Sequence, residues 1–124
     1  MKNEKFKVAN LVKELIMYID KSFTNFPKKE IELKHEIKQS SYNLLLVIYE
    51  ANTSTNMDLK IELQQKAIAM IKYIDFLIGL CYEKQIINGK KYIKFGEKLD
   101  LIIRYVTAWT NSTHNYNNQV VSNL

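Results

Sequence analysis

The chain has 124 residues, 47% of them apolar, with Gly 3 and Pro 1, and it carries 18 Lys+Arg against 13 Asp+Glu for a net charge of +5. That length suits one domain, and the apolar fraction is enough for a core and argues against wholesale disorder. Turn residues are too scarce for a sandwich or barrel, and the longest unbroken apolar run, Leu44–Tyr49, falls far short of the ~20 residues that span a bilayer.

The opening MKNEKFKVAN lacks the apolar core of a secretory signal, which leads us to expect a cytoplasmic protein. A first helix is predicted from Glu4 to Phe23, with Val8, Leu11, Val12, Leu15, Ile16 and Ile19 recurring on one face. Thr24–Asn25–Phe26–Pro27 breaks it. Pro lacks a donor and suits a first helical turn, Asn25 is placed to cap, and Glu30 complements the new helix dipole. The second helix is expected from Lys28 to Ala51, with Leu33, Ile37, Ser41, Leu44, Ile48 and Ala51 inward. After the polar turn NTSTN, a third should run from Met57 to Lys84 on Leu59, Leu63, Ala67, Met70, Ile71, Ile74, Leu77, Ile78 and Cys81. Asn88–Gly89 ends the next loop, and a fourth is expected from Lys90 to Thr110 with Tyr92, Phe95, Leu99, Ile102, Ile103, Val106 and Trp109. NSTHNYNNQVVSNL has no period and is expected to be frayed or disordered. The expected architecture is all-α: an up-down-up-down antiparallel four-helix bundle over residues 1–111, with a polar tail at 112–124.

Two segments are apolar on more sides than a core stripe requires. Leu44–Tyr49 is consecutive, and Tyr73, Ile74, Phe76, Leu77, Ile78, Leu80 and Cys81 surround the third helix. Exposed apolar surface on a small domain usually marks an interface. Leu45, Leu46, Tyr49, Tyr73, Phe76 and Leu80 are therefore the expected contacts of a ring-like homo-oligomer.

No complete catalytic site can be assembled. Glu32-Leu33-Lys34-His35 has the E-x-x-H spacing of di-iron bundles, but such a site needs a second copy, and the other histidine, His114, lies in the tail. Cys81, the single cysteine, sits in an apolar stripe and reads as a buried structural thiol. Asp75 interrupts an apolar run, so a structural ion pair within or between subunits, with Arg104 or a lysine of the last helix, is expected. No cofactor, metal or small-molecule substrate is expected.

The ligand signal is electrostatic. Lys90, Lys91, Lys94 and Lys98 cluster at the start of the fourth helix, where cations oppose the dipole; Tyr92 is interleaved and Lys84 lies across the loop. Lys91, Lys94 and Lys98 are spaced to share a face. Lys28 and Lys29 open the second helix, at the same end of an up-down bundle. These lysines are the candidate nucleic-acid contacts. Arg104 is the chain's one arginine, and lysine lacks the fork that reads base edges, so recognition of the RNA or DNA backbone is favoured over sequence readout.

Phe26–Pro27–Lys28–Lys29, the leucine-rich YNLLLVIYEAN at 42–52, LIGLCYEKQII near the end of the third helix, and Lys91–Tyr92, Leu99, Ile102 and Trp109 follow one another in a recognisable order. That order, over about residues 5–110, resembles the small four-helix bundle family that includes the accessory variability determinants of diversity-generating retroelements. Proteins encoded in intervening sequences of 23S ribosomal RNA genes are related. Thr107 and Ala108 stand where the family tends to have glycines. The resemblance implies a non-catalytic pentamer with a basic surface that binds a reverse transcriptase and nucleic acid and supports mutagenic reverse transcription. The alternatives are an intervening-sequence-type protein of the ribosomal RNA locus and a purely protein-binding oligomeric scaffold.

Overall fold

In the computed structural model, which describes residues 4–122 with side chains from Lys7 onward except at position 121, the described residues form α-helices and no strand. The helices are α1 (Glu4–Ser22), α2 (Ile31–Thr53), α3 (Met57–Glu83) and α4 (Gly89–Ser122), with a 3-10 turn at Lys28–Glu30 before α2. Each packs against two neighbours: α1 against α2 and α4, and α3 against the same two. The four apolar stripes meet in one core. Val8, Val12, Leu15 and Ile19 of α1 face Ile37, Leu44 and Ile48 of α2, Ile71, Ile74 and Ile78 of α3, and Phe95, Leu99, Ile102 and Val106 of α4. Complete burial of such side chains contributes roughly 1.5–3 kcal/mol each.

The stripes read from the sequence hold with three shifts, one of them Tyr92, expected inward on the fourth helix but exposed where that helix begins beyond the core. Leu59 is exposed rather than inward, and Ser40 joins Ser41 in the core face of α2. Ser41 satisfies its hydroxyl locally by donating to the Lys38 carbonyl at 2.7 Å. The turn after α1 is closed by aromatic rings. Phe23 is buried and meets Phe26 edge-on at 4.9 Å, and Phe95 of α4 lies 5.8 Å away.

Asn25 does not cap α2. The residue at the start of the 3-10 turn is Pro27 itself (φ −59°, ψ 134°), whose carbonyl accepts from Glu30 N–H at 3.0 Å, and no side chain caps either helix start. Asn25 lies too far upstream to reach the free N–H groups. The side-chain caps are Asn56, accepting from Leu59 N–H at 3.0 Å, and Asn88, accepting from Lys91 N–H at 2.9 Å.

The tail is a second correction. From Asn111 to Ser122 the chain continues α4, where the sequence led us to expect irregular structure; residues 123 and 124 lie outside the described residues. Thr110 and Thr113 fold their hydroxyls back onto the Val106 and Trp109 carbonyls at 2.8 and 3.1 Å, so these polar side chains are satisfied without leaving the helix. Thr113 also accepts from Gln64 Nε2 of α3 at 3.0 Å, in a buried polar pair that ties the extension to the bundle.

Gln64 Oε1 has no hydrogen-bond partner and is fully buried. Thr113→Val removes the remaining partner of the amide and should cost about 1–3 kcal/mol. Gln64→Met combined with Thr113→Val should recover most of that loss, because neither side then buries an unpaired polar group; urea unfolding of the three chains measures it.

Candidate nucleic-acid interface

The sequence signals for a ligand converge on the end of the bundle where α1 and α3 finish and α4 begins. α3 closes with Gln85 in the left-handed region (φ 61°). Its N–H donates to the Tyr82 carbonyl at 3.0 Å, and Ile86 N–H reaches back to the Cys81 carbonyl at 2.8 Å, the paired bonds of a Schellman stop. Ile87 is buried next, and Asn88 caps α4. The reversal brings Tyr82 of α3 onto Tyr92 of α4, with ring centroids 4.5 Å apart and planes 5° from parallel. An open cleft of about 710 Å³ runs beside it, lined by Tyr82, Gln85, Ile86, Asn88 and Lys91 among others.

Most of the candidate lysines gather at this end. Lys91 Nζ donates to the Ser22 carbonyl, the last residue of α1, at 3.4 Å. Lys94 and Lys98 both sit over the Tyr18 ring of α1, with Nζ 5.7 and 5.0 Å from its centroid. The three thus share a face, as their spacing predicts, and that face follows the α1–α4 seam. Lys90 is exposed, as are Lys28 and Lys29 on the 3-10 turn. Lys84 is partly neutralised by Glu30 at 3.1 Å, an ion pair that fastens the end of α3 to the start of α2.

Sequence reading missed Tyr18 as the ring beneath Lys94 and Lys98, Tyr82 as the partner of Tyr92, and Glu30 as the counter-charge of Lys84. The signal for the tyrosine pair was present: two aromatics flank a short loop between helices. The Glu30 pairing carries no sequence signature, since it depends on how the helices pack.

The expected interface residues divide. Leu46 and Phe76 are each 58% exposed, and Tyr49 and Tyr73 are also exposed. Leu45 and Leu80 instead pack against the core and present only part of their surface. The exposed four do not form one patch. Lys13 of α1 lies over Tyr49, whereas Tyr73 donates its hydroxyl to Glu36 of α2. Glu36 is ten positions before Leu46, about 15 Å along the helix. The contact with Glu36 raises the Tyr73 pKa, chiefly because the hydrogen bond favours the protonated hydroxyl.

Asp75 makes no buried ion pair. It is exposed between outward-facing Tyr73 and Phe76, and Arg104 lies instead 3.9 Å from Asp100. The apolar run around Asp75 suggested burial, but the outward positions of α3 are themselves apolar. His35 is exposed on α2, and among the described residues no group of His, Cys, Asp and Glu is arranged to hold a metal ion.

Comparison with known proteins finds no matching family model, no matching curated protein and no matching solved structure.

Cys81 lies buried under this end of the bundle. Burial pushes its thiol up to about 11, with the Glu30 carboxylate adding to the effect and Lys84 opposing it. An unfolded chain releases that proton near the ordinary thiol value of about 8.5. The folded state therefore binds more protons between the two values, and the stabilisation is full below the lower one and lost as pH rises through the higher. Unfolding midpoints should fall from pH 8 to pH 10.5, and Cys81→Ala should flatten the decline.

Proposed function

We propose that this chain is a non-catalytic accessory protein that associates with itself and holds nucleic acid by its backbone in support of a reverse transcriptase, the role implied by its resemblance to the retroelement accessory proteins. The observation that carries the nucleic-acid half of this reading is the gathering of Lys28, Lys29, Lys90, Lys91, Lys94 and Lys98 at one end of the bundle, joined by Lys84 across the loop. Cations at a helix start are disfavoured by the dipole, and a polyanion supplies the missing counter-charge. Lysines neutralise phosphates as point charges and release counterions, which gives binding without base readout.

The self-association half rests on the apolar side chains left outside the core. Leu46 and Tyr49 lie toward one side and end, Tyr73 and Phe76 toward another. Two separate patches suit a head-to-tail contact, in which one patch of each subunit meets the other patch of the next and the chain of contacts closes into a ring. Each subunit of such a ring, read as an up-down-up-down antiparallel bundle, presents its lysine end once, and repetition multiplies their field. A protein-binding scaffold is the second reading, favoured by the same exposed apolar residues.

Two measurements test the proposal. Light scattering coupled to size exclusion should return a multiple of the 14.6 kDa chain, and Leu46→Glu with Phe76→Glu should reduce it to the monomer; a wild-type monomer overturns the oligomer. Titration of a labelled oligonucleotide at several salt concentrations should show steep weakening, and replacing Lys90, Lys91, Lys94 and Lys98 by Gln should lower the log–log slope by about 3 while the oligomer persists. An unchanged slope removes the lysine end, and no binding by wild type at low salt leaves the scaffold.

A further inference from the structure

We infer that the Tyr82–Tyr92 stack is a platform for unpaired nucleobases, which makes single-stranded RNA or DNA the substrate class of the lysine end. This inference rests on the nucleic-acid reading above and deepens it. The two rings are parallel to within 5° at 4.5 Å, a base-stacking geometry already formed before any ligand arrives. Each ring covers one face of the other, yet Tyr82 remains 43% and Tyr92 37% exposed, so what is open lies on their outer faces and edges. Neither ring belongs to the core or packs among the partly buried residues at its margin.

The setting matches what a single strand needs. Lys91 lines the same cleft as Tyr82, Lys90 precedes Lys91 at the start of α4, and Lys84 lies just after Tyr82 at the end of α3, whereas Lys94 turns away to the Tyr18 ring on the α1 side. Phosphate-binding charge thus lies beside a π-surface, the pairing used by proteins that track single strands. The cleft beside the stack, lined by Gln85, Asn88 and Lys91 with one carboxylate, Glu83, is about 710 Å³, room for a base and its sugar. The platform is held rigidly, since Tyr82 is in the last turn of α3 and Tyr92 in the first turn of α4, and the Gln85 reversal and the Asn88 cap fix the loop between them. A duplex keeps its base faces stacked on one another and gains only the charge. The surface therefore distinguishes paired from unpaired strands without reading sequence.

The test uses the full chain and labelled oligonucleotides of one length: a single-stranded RNA, a single-stranded DNA and a DNA duplex. Tyr82→Leu with Tyr92→Leu keeps apolar bulk and removes the π-faces. It should weaken both single strands by at least about tenfold and leave duplex binding and the salt slope as they were. Tyr82→Phe with Tyr92→Phe should restore most of the affinity. Photo-crosslinking of 5-iodouracil-substituted strands should map to Tyr82 or Tyr92 in wild type, and the duplex should not crosslink there. Equal loss for single strand and duplex, or no loss for either, overturns the platform and leaves the lysine reading standing. If wild type binds none of the three at low salt, both fall. Loss for one sugar alone keeps the platform and assigns it to RNA or to DNA.

Discussion

The lysine-rich end depends on one reversal of the backbone. Between Tyr82 and Asn88 the chain must leave α3, turn, bury Ile87 and start α4 with its first N–H groups satisfied. It does so with a residue in the left-handed region that is glutamine and not glycine, Gln85. A side chain in that conformation costs on the order of 1 kcal/mol, and the two backbone bonds of the helix stop together with the burial of Ile87 offset it. The tyrosine stack, the position of Lys91 beside it and the Glu30–Lys84 ion pair are all set in place by that turn.

The lysines at the start of α4 stand against its dipole, and the fold answers them locally. Lys91 reaches the terminal carbonyl of α1, the negative end of that helix's own dipole. Lys94 and Lys98 share the face of Tyr18, which is in turn propped edge-on by Phe95 at 4.7 Å. Cation–π contacts at partly exposed sites are worth roughly 0.5–1 kcal/mol each, enough to align the ammonium groups but not to neutralise them. Alignment without neutralisation leaves a field directed outward. Beneath it, Phe23, Phe26 and Phe95 make a stiff aromatic floor, so the charges stand on a part of the core with little freedom to rearrange.

Much of this was legible in the residues. The 3–4 spacing of apolar positions located the helices and nearly all the core, because packing on one face is what such spacing encodes. The spacing of Lys91, Lys94 and Lys98 gave a common face for the same reason. Features that depend on which helix lies beside which were not legible. Asp75 looked buried from its neighbours in sequence, yet the side of α3 it occupies faces solvent. Leu45 and Leu80 looked surplus to the core and instead pack on its margin. The helical path of residues 111–122 was hidden by composition: asparagine, serine and threonine favour turns, and Thr110, Thr113 and the reach of Gln64 overrule that preference through bonds local sequence does not announce. The Tyr82–Tyr92 contact fell between these cases, with the loop visible and the stacking not.

The length of α4 has a consequence of its own. At 34 residues it is about 51 Å long, against about 28 Å for the 19 residues of α1 beside it. Its two tips are separated by several times the ~8 Å over which salt lets charges feel one another. A contact made around Tyr116 and Val120 is therefore electrostatically deaf to whatever the lysine tip holds. Added salt would weaken attraction at the charged extremity and leave apolar contact at the other intact, so a single rod of helix carries two surfaces that answer to different physics.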